Sequence, residues 1–288
     1  MHRIRFMRPA PGLEQFVRCY SQRDARIRDG VVEHPVHARA APLLEFVFGD
    51  RIKVFAASRH VATSPDVVIV GAQTQSNAEL HIQGSVQCFV ILFQPDGLHR
   101  LFSLPMRELT DRNHDARGAL GPVVSHLHQR LGECDSLEER VRVVDRFLLQ
   151  RSMKLRGLEG ISAIARHIVR GAGSLPITDL AASAGFSLRQ FERRFFEQVG
   201  VQPKVFSRIV RFEAALDSKA RSPQKSWVQV AHELGYFDQM HMIHDFQQFT
   251  GRTPTHAFGP MEILFRDQMD AMRSGGTSTH PTDSRLIL

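Results

Sequence analysis

One stretch of the chain occurs twice, fifty positions apart, and this repeat restricts the fold more than any other feature of the sequence. Residues 179–186 align with residues 229–236, so that an alanine, a glycine and an aromatic residue coincide in the two copies. After one inserted residue, the match continues as far as Pro203 and Pro254. Self-similarity of this kind indicates one supersecondary unit that is used twice.

Each copy has the pattern of a helix-turn-helix. A short helix carries an alanine where a second helix must approach closely, a glycine supplies the positive φ that ends it, and an aromatic residue fills the corner. A longer helix follows, with apolar residues four apart facing inward. The spacing of apolar residues at 205–220 predicts a helix that connects the two copies. The predicted frame consists of Ala181, Gly185, Phe186, Phe191 and Phe195 in the first copy and Ala231, Gly235, Tyr236, Met242 and Phe246 in the second.

The second helix of such a unit enters the DNA major groove, where its outward residues reach base edges. Arginine pairs with guanine O6 and N7, glutamine pairs with adenine N6 and N7, and glutamate accepts from cytosine N4. A solvated helix face would carry similar side chains, but the twofold occurrence of the whole frame favours recognition. The outward residues of the first copy are Leu188, Arg189, Gln190, Glu192, Arg193 and Arg194.

The second helix of the second copy contains neither lysine nor arginine. Its attraction to phosphate is therefore weak, although Gln239 can bond a base and Met240 or Ile243 can pack on a thymine methyl. We expect the first copy to dominate affinity, with Arg252 helping to place the second copy on the DNA backbone. The outward residues of the second copy are Gln239, Met240, His241, Ile243, His244, Gln247 and Gln248.

The composition is that of a globular protein with a basic balance. Lys and Arg number 37 against 30 Asp and Glu, and the net charge of +7 suits a polyanionic partner. The longest apolar runs fall far short of the roughly 20 residues that span a bilayer, and the N-terminus has no secretory pattern, so we expect a cytoplasmic protein without membrane association. The three cysteines lie far apart, and we expect no catalytic, cofactor or metal site.

The first part of the chain predicts short strands followed by helices. Residues 43–48, a Gly49-Asp50 turn and residues 52–55 have the pattern of a β-hairpin. Apolar segments at 67–70, 80–82 and 86–93 continue the series, with Gly71 and Gly84 between them. Short strands at this spacing predict a small, cupin-like β-barrel or a sandwich. Three helical patterns then follow. The apolar stripe of the last of these helices either covers the barrel or forms a dimer interface; it consists of Leu137, Val141, Val144 and Leu148.

These patterns predict an α+β protein of two domains. Residues 1–153 form the β-barrel with its packed helices, and residues 154–160 form a linker. Residues 161–262 form an all-α domain of two helix-turn-helix units joined by a long helix. Residues 263–288 are expected to add a short helix and a disordered tail.

The repeated segments resemble a known family. Phe186-Ser187 through Gly200-Val201-Gln202-Pro203, and Gly235-Tyr236-Phe237-Asp238-Gln239 through Gly251-Arg252-Thr253-Pro254, are similar to the two signature segments of AraC/XylS-type transcription regulators. The resemblance implies a seven-helix domain that reads successive major grooves on one side of the DNA. Its base-reading positions fall on Arg189, Glu192, Arg193, Gln239, Met240, Ile243 and His244. The chain departs from the family at His244, Gln247 and Phe196, where relatives usually carry basic residues.

Three segments of the first domain resemble landmarks of one uncharacterised N-terminal type in such regulators. They are residues 70–74, 93–97 and 104–111, which contain Val-Gly-Ala-Gln-Thr, Phe-Gln-Pro-Asp-Gly and Leu-Pro followed by Glu-Leu-Thr-Asp. The resemblance implies that this domain senses an effector or dimerises.

The function favoured by the sequence is sequence-specific DNA binding that regulates transcription in response to a signal. Expected partners are double-stranded DNA, a small-molecule effector and RNA polymerase, with the oligomeric state open between monomer and homodimer. Two other classes stay open. One is a protein-interaction adaptor in which the DNA-contacting helix of the second copy has degenerated, and the other is a cupin-like enzyme fused to a DNA-binding domain.

Overall fold

The computed structural model describes residues 2–56, 61–153, 155 and 160–259. Of the predicted linker, it describes only residues 155 and 160, and the predicted C-terminal helix and tail at 263–288 lie outside the described residues. The strands are β1 (His2–Met7), β2 (Val17–Val36), β3 (Leu43–Gly49), β4 (Lys53–Ala56), β5 (Val61–Thr63), β6 (Val67–Val70), β7 (Ala78–Phe93) and β8 (Asn113–Asp115).

Helices begin after β7 and, apart from the short strand β8, form the regular elements of the rest of the described chain. A 3-10 turn, Met106–Glu108, lies after α1, and residues 254–259 are again helical. The helices are α1 (Gly97–Phe102), α2 (Ala116–Leu120), α3 (Val123–Gly132), α4 (Leu137–Ser152), α5 (Gly160–Arg170), α6 (Ile177–Ser183), α7 (Leu188–Val199), α8 (Pro203–Arg221), α9 (Trp227–Glu233) and α10 (Gln239–Thr250). The predicted α+β class is confirmed.

Over the described residues the sheet is antiparallel and does not close on itself, whereas the sequence predicted a small β-barrel or sandwich. Its strand order is β1-β2-β7-β3-β6-β8, with β4 pairing to β7 and β5. Within the described ranges, β1 and β8 end the main strand order and do not pair with each other, and β5 forms a further edge beside β4. The long strand β7 pairs with β2 along one side and with β3 and β4 in succession along the other.

The predicted hairpin at residues 43–55 is wrong, because β3 and β4 are successive segments that run along the same neighbour. β3 pairs with β7 as far as Gly49, and β4 resumes the pairing at Lys53 opposite His81. Between them, the Asp50 carboxylate accepts a hydrogen bond from the Ser85 amide at 2.7 Å. Gly49 has φ +83°, which favours glycine. The Gly-Asp pair therefore forms an irregularity in a long strand, where the sequence predicted a reversal of the chain.

One face of the sheet packs against α1, α3 and α4. Phe46 and Phe89 are fully buried there, and the Tyr20 hydroxyl donates to the Asp145 carboxylate at 2.6 Å. The apolar stripe of α4 lies in the same core, so it covers the sheet and is not available as a dimer interface. The residues of that buried stripe are Leu137, Val141, Val144 and Leu148.

A second core fills the C-terminal helices, with α8 at its centre. Phe206 of α8 packs on Phe195 of α7 with ring centroids 5.3 Å apart, and Phe212 packs on Phe246 of α10 at 4.9 Å. The connecting helix predicted at 205–220 is confirmed as α8. It joins the two helix-turn-helix units through separate aromatic contacts. None of the helices in the described chain is both long and apolar enough to cross a membrane.

Candidate DNA-binding interface

Helices α6 and α7 form the first helix-turn-helix unit. Gly185 ends the turn after α6 with φ +71°, and Ser187 begins α7 as its N-cap. The Ser187 hydroxyl accepts from the Gln190 amide at 3.3 Å, and the Gln190 side chain accepts from the Ser187 amide at 3.2 Å. This capping box satisfies two of the amides that a helix N-terminus leaves without partners. It fixes the direction in which α7 leaves the turn.

The outward face of α7 carries a compact set of charged side chains. Arg189, Glu192 and Arg193 are exposed, whereas Phe191 and Phe195 on the opposite face are fully buried. Burial of the two phenylalanines fixes the rotation of the helix about its axis. The three polar residues therefore extend from its first two turns into solvent.

Two other candidates on α7 are already engaged within the protein. The Gln190 oxygen takes part in the capping box, which occupies the atom that would accept from adenine N6. The Arg194 guanidinium lies 5.0 Å from the centre of the Phe186 ring, in a cation–π contact at the corner of the unit. Arg189, Glu192 and Arg193 are thus the α7 side chains best placed to meet a base edge.

Helices α9 and α10 repeat this geometry in the second unit. Gly235 has φ +67°, and the Asp238 carboxylate caps α10 by accepting from the His241 amide at 2.7 Å. Gln239, Met240, His241, His244, Gln247, Gln248 and Arg252 are exposed, Ile243 is half-buried, and Met242 and Phe246 are buried. The two units therefore present equivalent helices, α7 and α10, which we call the reading helices.

Most of the predicted frame residues lie in the core between the helices of each unit, whereas Gly185 and Gly235 are exposed in the turns. The alanines of both short helices are buried, and burial raises the pKa of the Tyr236 hydroxyl. Phe186 is half-buried. The fully or almost fully buried frame residues are Ala181, Phe191, Phe195, Ala231, Tyr236, Met242 and Phe246.

One exposed aromatic residue escaped the sequence reasoning. Phe237 is the residue inserted in the second copy, and its side chain is 88% exposed at the start of α10. Its ring meets the His241 ring edge-on, with centroids 6.3 Å apart. Together with exposed Met240, it gives the second unit an apolar tip where the first unit has arginine.

An ion pair between α8 and α10 was also missed. Arg208 donates to the Asp245 carboxylate from Nε at 2.9 Å and from Nη2 at 2.6 Å. Asp245 is buried. Because both hydrogen bonds come from one guanidinium group, they strongly restrict the position of α10 relative to α8. The only sequence signal was an acidic residue on the inward face of a helix. Its partner lies 37 positions away.

The sheet contains a group whose donor types suit a divalent cation, which the sequence reasoning also missed. Ligand atoms of Glu33, Glu79 and His81 all lie within 4.8 Å of one another. Strand pairing causes this arrangement, because Glu33 lies opposite His81 in the register of β2 and β7. The Glu79 carboxylate already lies 2.7 Å from His81 Nε2, and Glu33 is exposed.

Comparison with known protein families gives one match in each part of the chain. A model described as a helix-turn-helix domain matches residues 165–258, and a model described as a domain of unknown function, DUF6597, matches residues 5–115. The first match covers both units described above. The chain carries an AraC-type helix-turn-helix domain, the DNA-binding domain of a class of transcription regulators. The resemblance predicted from the repeat is confirmed.

The chain shows weak structural similarity to several solved proteins. ToxT from Vibrio cholerae O395 is 10% identical, with 90% of this chain and 96% of that chain covered and a TM-score of 0.46. The AraC-like transcriptional activator CuxR is 12% identical, with 70% and 83% covered and a TM-score of 0.23. No curated protein sequence matches the chain.

Proposed function

We propose that this protein regulates transcription by binding a specific DNA sequence with both reading helices, α7 supplying most of the affinity. The observation that carries the proposal is the presence of two equivalent helix-turn-helix units, each with its apolar face buried and the outward residues of its first two turns directed to solvent. Arg189, Glu192 and Arg193 supply hydrogen-bonding groups for base edges.

The exposed side chains of the two reading helices differ in chemistry. The exposed face of α7 has arginines that attract phosphate and pair with guanine. The exposed groups of α10 include Gln239, Met240 and two imidazoles, and exposed Phe237 lies just before the helix; these groups suit a glutamine contact to adenine and packing on thymine methyls. We therefore propose that the operator contains a guanine-bearing half and a half rich in A·T pairs.

The domain division predicted from the sequence remains part of this proposal. Residues 1–153 would form the sensing domain and residues 161–262 the DNA-binding domain, joined by the linker at 154–160. A small-molecule effector, a homodimeric state and contact with RNA polymerase are proposed on the family resemblance alone.

The proposal is tested by selecting duplexes from a random-sequence library with the full chain and then measuring affinity against salt concentration. We expect one enriched sequence motif and a steep loss of affinity with salt. A protein that neutralises about six phosphates loses roughly a thousandfold in affinity between about 50 and 200 mM salt. The dependence of affinity on salt, measured for a scrambled duplex of equal length, gives the part of the binding that does not depend on sequence.

The alternative function, a protein-interaction adaptor, predicts no enriched DNA motif and no loss of affinity with salt. The exposed apolar tip formed by Phe237 and Met240 is the observation that favours it, since such side chains also suit a protein partner. Failure to enrich any motif, together with affinity that does not change with salt, would favour the adaptor over the regulator.

A further inference from the structure

The N-terminal part of the protein contacts the C-terminal end of both reading helices. The Ala38 amide donates to the Phe249 carbonyl of α10 at 3.0 Å. The Thr110 hydroxyl donates to the carbonyl of Gly200, the C-cap of α7, at 2.6 Å. The last carbonyls of a helix have no partner within it, so donors from another element satisfy groups that would otherwise depend on water.

The segments that supply these donors are connected to each other. Arg39 and Gln73 exchange two backbone hydrogen bonds of 2.8 Å. The amide and hydroxyl of Thr74 each donate to the Asp111 carboxylate at 2.6 Å. The segments 38–40, 71–74 and 106–111, which we call the brace, therefore form one hydrogen-bonded unit that extends from α10 to α7.

The brace also contributes to the apolar core of the DNA-binding domain. Ala38 and Ala72 are fully buried and Ala40 is almost fully buried, all within the cluster that contains the aromatic residues of α7, α8 and α10. Small side chains allow the backbone of the brace to lie close to these helices. The brace and the DNA-binding domain therefore share a tightly packed apolar interface.

Polar contacts flank this interface on the side of the first unit. Arg107 of the brace forms an ion pair with Glu197 of α7. The fully buried Asp96 carboxylate accepts a hydrogen bond from Ser162 of α5. All three landmark segments of the N-terminal domain thus contact the DNA-binding domain or support the residues that do.

We infer that the brace holds α7 and α10 in a fixed relation, so that Thr110 and Gly200 act as positioning residues for DNA recognition. This inference rests on the proposed function for its effect on DNA binding, and it goes beyond it by assigning a role to the N-terminal domain. The brace leaves Arg189, Glu192 and Arg193 exposed, so it arranges the reading helices without covering their outward residues. A pre-arranged pair of helices loses less entropy on binding, which increases affinity.

Two glycines provide a matched pair for the test. Gly200 and Gly251 are the C-caps of α7 and α10, with φ of +93° and +72°, so an alanine is strained at either position. A Cβ at Gly200 would lie 2.8 Å from both the Met106 carbonyl oxygen and the Thr110 hydroxyl oxygen. A Cβ at Gly251 meets no described atom within 4 Å. Only the first substitution should separate the brace from a reading helix.

The experiment compares Gly200→Ala and Gly251→Ala in the full chain by amide hydrogen exchange without DNA. We expect Gly200→Ala to accelerate exchange at residues 106–111 and also at residues 38–40, because the segments form one unit. Gly251→Ala should leave both segments unchanged. A purely local disturbance at Gly200 would affect residues 106–111 alone, and that outcome, or equal behaviour of the two variants, would overturn the inference.

The consequence for DNA binding is measured on a duplex selected by the wild-type chain. Gly200→Ala should weaken affinity about fivefold or more through lost pre-arrangement, and Gly251→Ala by less than about twofold. Thr110→Val, which removes the hydroxyl donor, should act in the same direction, and Thr110→Ser should restore binding. Unchanged affinity in Thr110→Val and Gly200→Ala would contradict the positioning role.

Failure of the proposed function would look different. If the wild-type chain selects no duplex, DNA recognition is refuted. Hydrogen exchange at residues 38–40 and 106–111 still tests whether the brace connects the two reading helices.

Discussion

Replacing Arg193 by alanine is expected to weaken binding to the selected duplex by about 1–3 kcal/mol, the usual value of one bidentate base contact. Arg193 lies on the exposed face of α7, opposite fully buried Phe191 and Phe195, so the rotation of the helix directs it away from the core. Fluorescence anisotropy with a labelled duplex measures the loss. The variant should also tolerate substitutions at one base pair of the site.

Arg194→Ala is the control, because it removes the same charge from the same helix. Its guanidinium lies over the Phe186 ring, so its loss should reduce affinity for all duplexes without changing the preferred sequence. Circular dichroism verifies that both variants remain folded. If Arg193→Ala kept the wild-type affinity and base preference, the assignment of α7 as the dominant reading helix would be refuted.

Replacing Phe212 by alanine is expected to lower the free energy of unfolding by about 3–5 kcal/mol, as large-to-small changes in packed cores do. Phe212 is fully buried on α8 and packs against Phe246 and Phe249 of α10, with ring centroids 4.9 and 5.3 Å away. The loss of the ring therefore leaves a cavity between the connecting helix and the second unit. Such a change should also remove the contribution of α10 to DNA binding.

Urea unfolding followed by the fluorescence of the single tryptophan measures this effect, since Trp227 lies 5.3 Å from Phe246 in the second unit. Val228, the exposed residue next to Trp227, provides the control. Val228→Ala should change the free energy of unfolding by less than about 0.5 kcal/mol. Comparable stability of Phe212→Ala and Val228→Ala would contradict the role of α8 as the link between the units.

The helical half of the molecule was predictable from sequence because its determinants are local. A glycine with positive φ, an N-cap and apolar residues four apart specify each unit within about 25 residues, and their repetition excludes coincidence. The same reasoning could not place Gln190 and Arg194, whose side chains turn back onto the protein. Their orientation depends on contacts with Ser187 and Phe186 that spacing alone does not reveal.

The β-rich half was predicted less well because strand pairing is a long-range property. Strand β2 was missed because its alternation is masked by arginine and aspartate, and the Gly49-Asp50 pair was interpreted as a turn. Whether such a pair reverses the chain or interrupts a strand depends on β7, which lies more than 25 positions further on.

The brace illustrates the same limit at the level of function. Gly200 was predictable as a helix cap, but its close approach to Met106 and Thr110 joins residues about ninety positions apart. The landmark segments were visible as motifs, whereas their shared contact with the DNA-binding domain required the structure.

The most direct test of the account is a hydroxyl-radical footprint of the full chain on the selected duplex. Two helix-turn-helix units joined by α8 should protect two adjacent major-groove segments on one face of the DNA, about 10–10.5 base pairs apart. Phe212→Ala should lose the segment nearer the A·T-rich half and keep the other. A single protected segment in the wild-type chain, or two segments on opposite faces of the duplex, would contradict recognition by paired reading helices.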